Sequence, residues 1–304
     1  MHLTTPTRCS PVVEQKREWG YFMAKRTALA LAAGLALTVS IEAHAFDFSA
    51  TSIGYWYGWQ FKEPGTDNGK DILQHNVYLS HADGYEYGTN FFNLNFTKWG
   101  PGNPANNSNT GASEFYGVYR TTVSGNKVTN STMFSWGPIK DVGLDAGFDL
   151  DSENTAFATG KYLVVVGTQL AVNLPKGFWN IDLHFSHEWN NNGIAGHSVN
   201  FDSAPELETA WFYPFSLGPV PLAFTGFFNI IGPKGRDGFG DQTRTEILAH
   251  PKLLVDVGDL VKATPNKVYA GIGYEGWRNK FGNAENEVPG SSQDAFFLEV
   301  SYVF

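Results

Sequence analysis

The 304-residue chain contains a single cysteine, Cys9, and it lies ahead of every segment patterned for folding. A disulfide framework, a paired-cysteine metal site and a cysteine nucleophile are therefore excluded from the body of the protein. Charge is sparse, at 17% of residues, and acidic residues outnumber basic ones by 30 to 21. A phosphate-backbone partner needs a basic surface, so nucleic acid is not expected as a partner. Long apolar runs are scarce too. The run at 28–39 is short for a membrane helix, and 161–174 is broken by Gly167, Gln169 and Asn173. Eight histidines fall without ligand spacing, so no metal site is expected. No motif asks for a cofactor.

Aromatic residues, by contrast, are plentiful at 15%. Around them the chain is organised in three parts. Residues 1–22 look like an upstream extension from a misplaced start rather than structure. Residues 23–45 read as a secretory signal: Met23 is followed by basic Lys25 and Arg26, the apolar run, and then Ala43-His44-Ala45 before a cut. The mature chain, 46–304, then alternates strand and turn.

Twelve strands are expected, at 48–59, 71–81, 87–98, 113–122, 142–151, 161–173, 178–190, 206–217, 222–231, 244–256, 268–280 and 295–304. Each has about ten residues, the length a tilted strand needs to cross a bilayer. The period is two. The last strand sets Phe296, Leu298, Val300, Tyr302 and Phe304 on one face and Phe297, Glu299, Ser301 and Val303 on the other. Strand 142–151 opposes Val142, Leu144, Ala146, Phe148 and Leu150 to Asp145, Asp149, Asp151 and two glycines. In 178–190, His187 is the one misfit on the apolar row.

A soluble β-sandwich alternates in the same way. Two features favour a membrane barrel. Aromatic residues sit near the ends of the apolar rows, at Tyr57, Trp59, Trp179, Trp189, Tyr302 and Phe304, as in interfacial girdles. Connections also alternate in length. Short turns are expected at Asp83-Gly84, 175–177 and 218–221, and long polar loops at 60–70, 99–112, 190–205, 232–243 and 281–294. Segments 123–141 and 257–267 break this rule, and "SGNKVTNSTMFSW" in the first leaves room for a further hairpin. The expected fold is thus all-β, an up-and-down transmembrane barrel of about twelve strands in the bacterial outer membrane, in contact with lipid and lipopolysaccharide.

Several segments are more specific. "NFFNLNFTKWGPGN" (90–103), "SEFYGVYRTT" (113–122), "GPIKDVGLDAGFDLDSEN" (137–154), "FSHEWNNNG" (185–193) and the closing "FFLEVSYVF" resemble the Tsx-type nucleoside-specific channel family, including its OmpK-like members. The resemblance implies a monomeric twelve-stranded barrel with a narrow lumen that passes nucleosides, and external loops that serve as phage receptors. Likeness to outer-membrane proteins as a class implies that the strand ending in Phe304 is read by the barrel assembly machinery.

If the polar rows face the lumen, they contribute Arg120, Asp145, Asp149, Asp182, His184, Glu188, Glu206, Glu208, Glu246, Lys252, Asp256 and Glu299. The same parity turns Trp56, Phe91 and Tyr116 inward. Aromatic faces stack on nucleobases, carboxylates accept hydrogen bonds from ribose hydroxyls, and acidic walls repel phosphate. The bland alternative is a wetted wall braced by ion pairs, with rings that fill space.

Three functions follow from these residues. The first is a passive, substrate-selective channel for nucleosides or similar ring-bearing solutes. The second is a surface-recognition barrel without an open pore. The third is a lipid-modifying enzyme using His184, Ser186 and Glu188, which face the lumen and so point away from acyl chains. The Gly-rich "GPKGRDGFGD" (232–241) reads as an external loop, and its Asp237 and Asp241 fit no calcium-loop spacing.

Overall fold

A computed structural model describes residues 47–155, 160–193 and 195–304. The expected signal sequence and upstream extension lie outside these residues. Thirteen strands form one antiparallel sheet: β1 (Phe48–Phe61), β2 (Ile72–Tyr85), β3 (Gly88–Trp99), β4 (Ser113–Ser124), β5 (Ile139–Glu153), β6 (Gly160–Val172), β7 (Phe178–Asn192), β8 (His197–Asn200), β9 (Ala204–Leu217), β10 (Val220–Ile231), β11 (Glu246–Asp256), β12 (Val268–Arg278) and β13 (Gln293–Val303). β1 pairs with β13 and β6 with β7, which closes the ring. β8 is a short flap paired only with the end of β7. The other twelve strands are the barrel staves, and each overlaps one of the segments the periodicity predicts, with ends that differ by up to four residues. Closure removes sheet edges, the condition for a sheet to span lipid.

Register fixes which row faces which way. Trp56 pairs with Asn76 and Glu299, and Asp149 with Leu163 and Val118. On β13 the outward Phe296, Leu298 and Val300 are 54%, 54% and 48% exposed, whereas the inward Phe297 and Glu299 are 1% and 4% exposed. The apolar row is thus the outer wall. Trp59, Trp179, Trp189 and Tyr302 are exposed on the same side near strand ends. A closed twelve-stranded barrel with an apolar exterior and girdling rings is a bacterial outer-membrane protein. No helix among the described residues is long and apolar enough to span.

Strand ends and connections match the expected alternation, with two corrections. Asp83-Gly84 is not the β2–β3 turn. Both residues stay in β2, Tyr85 pairs with Gly88, and Glu86-Tyr87 turn the chain. Asp83 is held in the strand by Asn90, which donates to it at 3.0 Å, and by His81. The segment 123–141 adds no hairpin to the barrel. Ser124 caps a short helix, α1 (Gly125–Thr129), by accepting from Lys127 N; among the described residues 131–138 form no strand, only the local Trp136–Ile139 bridge and a bond from Asn173 N to the Pro138 carbonyl that prolongs the β5–β6 ladder. In 257–267 lies a second short helix, α2 (Val257–Leu260), capped by Asp256.

Inward glycines seat inward rings. A Cβ on Gly54 would lie 2.2 Å from the Tyr78 ring, and one on Gly273 would lie 2.1 Å from the Phe297 ring. Bare backbone at these two positions lets the rings lie flat against the wall instead of filling the bore.

Candidate functional site

The candidate site is the lumen, and its polar side chains bond mostly to one another. Arg120 donates from Nη1 to Asp149 at 2.7 Å, and from Nη2 to Glu208 at 2.8 Å. The first link joins neighbouring strands; the second crosses from β4 to β9. A bidentate-capable guanidinium is suited to hold two carboxylates at once. Tyr116 donates to the other oxygen of Asp149 at 2.7 Å, and Lys161 stands 5.5 Å over the Tyr116 ring. On the opposite wall, Glu299 accepts from Tyr78 at 2.7 Å and from Lys252 at 3.0 Å.

A third group is anionic. His184 Nε2 lies 3.0 Å from Asp145 Oδ2, and Thr122 donates to Asp145 Oδ1. Asp182 accepts from Gln169 at 2.8 Å. Glu206 and Glu208 on β9 pair in register with His184 and Asp182 on β7. β5 alone turns Asp141, Asp145, Asp149, Asp151 and Glu153 inward, so this side of the lumen is strongly acidic.

The residues assigned to the lumen from sequence lie on inward rows of the register, but their freedom differs. Trp56 is buried, its ring stacked on Phe61 at 5.2 Å and tilted against Phe297 at 5.1 Å. It is a packing residue within a cluster that includes Ile72 and Trp99. Phe91 is 38% exposed inside the bore and stands freest of the three rings. Tyr116 keeps one face toward Lys161. Glu188 is taken by Lys234, which reaches down from the external loop 232–245. His250 stacks on Phe227 at 5.0 Å and pairs with Glu275 at 3.0 Å.

Two lysines were not legible as lumen residues: Lys234 sits in a long polar loop, and Lys280, expected as the last residue of the strand 268–280, falls beyond the end of β12 at Arg278, yet both are buried. Lys280 pairs with Glu63 at 3.0 Å and lies 4.5 Å over Trp277 and 5.3 Å over Trp99. Those two indoles donate to Glu246 and Glu114, each at 2.8 Å. Burial acts to lower the Lys280 pKa, but Glu63, Glu275 and Glu114 outweigh it and hold the ammonium above the usual lysine value. Lys234 in its glycine-rich loop gives no periodic signal of its direction, and the strand period stops applying to Lys280 because the ladder ends at Arg278.

His184 and Ser186 do not bond to each other. Ser186 donates weakly to the Ala204 carbonyl at 3.4 Å while His184 is held by Asp145. The outward misfit His187 bonds Ser203 and Asn200 and packs on Trp189 at the loop end. Asp237 accepts from the backbone of Phe239 and Asp241, bracing its own turn.

No family model matches the chain, and no curated protein does. Similarity to solved structures is found. The KdgM porin in complex with disordered oligogalacturonate is 11% identical, with 83% of this chain and 99% of that one covered, at a TM-score of 0.42. The NanC porin is 9% identical, covering 83% and 98%, at 0.44. An outer membrane channel from Pseudomonas putida F1 is 13% identical, covering 88% and 100%, at 0.45. Similarity at this level does not extend to what passes through the barrel.

Proposed function

We propose that the protein is a passive outer-membrane channel selective for small ring-bearing solutes, with nucleosides as the class that fits best. The observation that carries this is the Arg120–Glu208 bridge across the lumen. It divides the bore, so solutes must pass singly beside Phe91 and Tyr116. The acidic β5 row disfavours phosphates, and the rings offer stacking to a base. Weak multi-site binding of this kind allows release as well as entry. The resemblance of 90–103 and 137–154 to Tsx-type channels supports the nucleoside assignment. The decisive measurement is planar-bilayer conductance. Current blocked by adenosine and unaffected by glucose is the expected result; equal block by both would remove the nucleoside assignment.

A second reading has its own observation. Lys234 and Lys280 fold from the external loops onto buried carboxylates and narrow the mouth. A barrel closed in this way would act through its external loops, as a receptor surface for phage. It would show no conductance in the same bilayer, even with adenosine absent.

A further inference from the structure

We propose that the lumen binds a divalent transition-metal ion, with His184, Glu206 and Glu208 as its ligands. These three side chains each present a ligand atom, and the three atoms lie within 4.8 Å of one another. They come from adjacent staves, with His184 of β7 in register with Glu206 of β9.

The unpartnered atoms make this more than an acidic patch. His184 is 3% exposed and its Nδ1 makes no hydrogen bond; Glu206 is 5% exposed and its Oε2 makes none. A buried polar atom without a partner is costly and needs an explanation. The partnered atoms agree: His184 Nε2 meets Asp145 Oδ2 at 3.0 Å, and when the neutral imidazole donates Nε2–H to that carboxylate its Nδ1 keeps a lone pair for a ligand. That is the arrangement in which a carboxylate orients a metal-ligating imidazole and raises its basicity. Thr122 in turn fixes Asp145 through its other oxygen. Glu208 gives Oε2 to Arg120, so its other oxygen remains for a ligand role.

Charge agrees with occupancy by a cation. Asp145, Asp182, Glu206 and Glu208 gather around one imidazole, and the guanidinium of Arg120 is already divided between Glu208 and Asp149. Like-charged carboxylates this close repel unless protons or a cation sit between them. An imidazole nitrogen beside carboxylate oxygens suits zinc and its first-row neighbours better than calcium or magnesium. Three protein ligands leave a position open to the lumen, so a passing solute with a nitrogen or oxygen donor meets the ion directly. Sequence spacing hid the site because its residues lie on different strands.

The test is Zn²⁺ retention by the tag-free barrel in detergent, measured by equilibrium dialysis with metal analysis. Folding of each variant is checked by heat-modifiable gel migration. The wild type is expected to retain stoichiometric Zn²⁺. Asp145→Asn should weaken binding about 10- to 100-fold, as loss of an outer carboxylate does. His184→Ala and Glu206→Gln should weaken it further, and His197→Ala, on the β8 flap away from the cluster, should leave it unchanged. Should His184→Ala fail to fold, the isosteric Glu206→Gln decides. A wild type that retains no Zn²⁺ overturns the site. So does a folded His184→Ala or Glu206→Gln variant that binds like the wild type. Retention is read without any solute flux, so it stands or falls separately from nucleoside conduction.

Discussion

Arg120 on β4 and Glu208 on β9 meet inside the barrel, Nη2 to Oε2 at 2.8 Å, although β5, β6 and β7 separate their strands along the wall. This contact is a chord across the interior rather than a link running around the wall.

Arg120→Met removes the bridge and leaves Asp149 and Glu208 buried without their cation. A loss of about 3 kcal/mol in unfolding free energy is expected, read by urea titration of tryptophan fluorescence. Adding Asp149→Asn and Glu208→Gln should recover most of it. Single-channel conductance of the folded variant should rise. Unchanged conductance would show that the bridge does not limit the passage.

The two inward rings Trp56 and Tyr116 separate packing from binding. Trp56→Ala empties a site between Phe61 and Phe297 and should cost about 3–5 kcal/mol of stability. Tyr116→Ala should keep the barrel folded and weaken adenosine block by about 1–3 kcal/mol, the worth of one stacked base. Block as strong as in the wild type would take Tyr116 out of the solute path.

Val166 is outward and exposed near the middle of β6. Val166→Arg should destabilise the barrel in lipid vesicles by about 2–4 kcal/mol, the midplane cost of an arginine. Refolding yield across vesicle and detergent conditions measures this. A penalty equal to that of an arginine in the external loop 279–292 would contradict the lipid-facing assignment.

Lys280 gives a pH dependence with a definite sign. Its folded pKa is raised, so its contribution is complete below the usual lysine value and is lost as pH climbs through the folded one. The loop 279–292 should therefore resist limited proteolysis until pH passes about 10.4, then loosen. Lys280→Met should show no such alkaline step. A loosening at neutral pH in the wild type would mean the pair with Glu63 does not hold the loop.

The staves were legible because their signal is local. Side chains on a strand alternate with a period of two, so Leu144 and Asp145 must face opposite ways wherever the strand goes. The turn after β2 was less legible. Asp83-Gly84 has turn chemistry, yet Asn90 and His81 hold Asp83 in the ladder and move the turn to Glu86-Tyr87. Trp56 was correctly turned inward, but whether its ring stays free depends on Phe297, which arrives from the far end of the chain.

The amino-acid sequence by itself determined the number of staves, the lipid-facing and lumen-facing rows, and the acidity of the interior. Those follow from alternation, which neighbouring residues carry between them. Only the tertiary structure decided that Arg120 reaches Glu208, that His184 stands beside Glu206 and Glu208, and that Lys234 and Lys280 turn inward. These contacts depend on how the ring closes and how each strand is staggered against the next, and no stretch of chain encodes that alone.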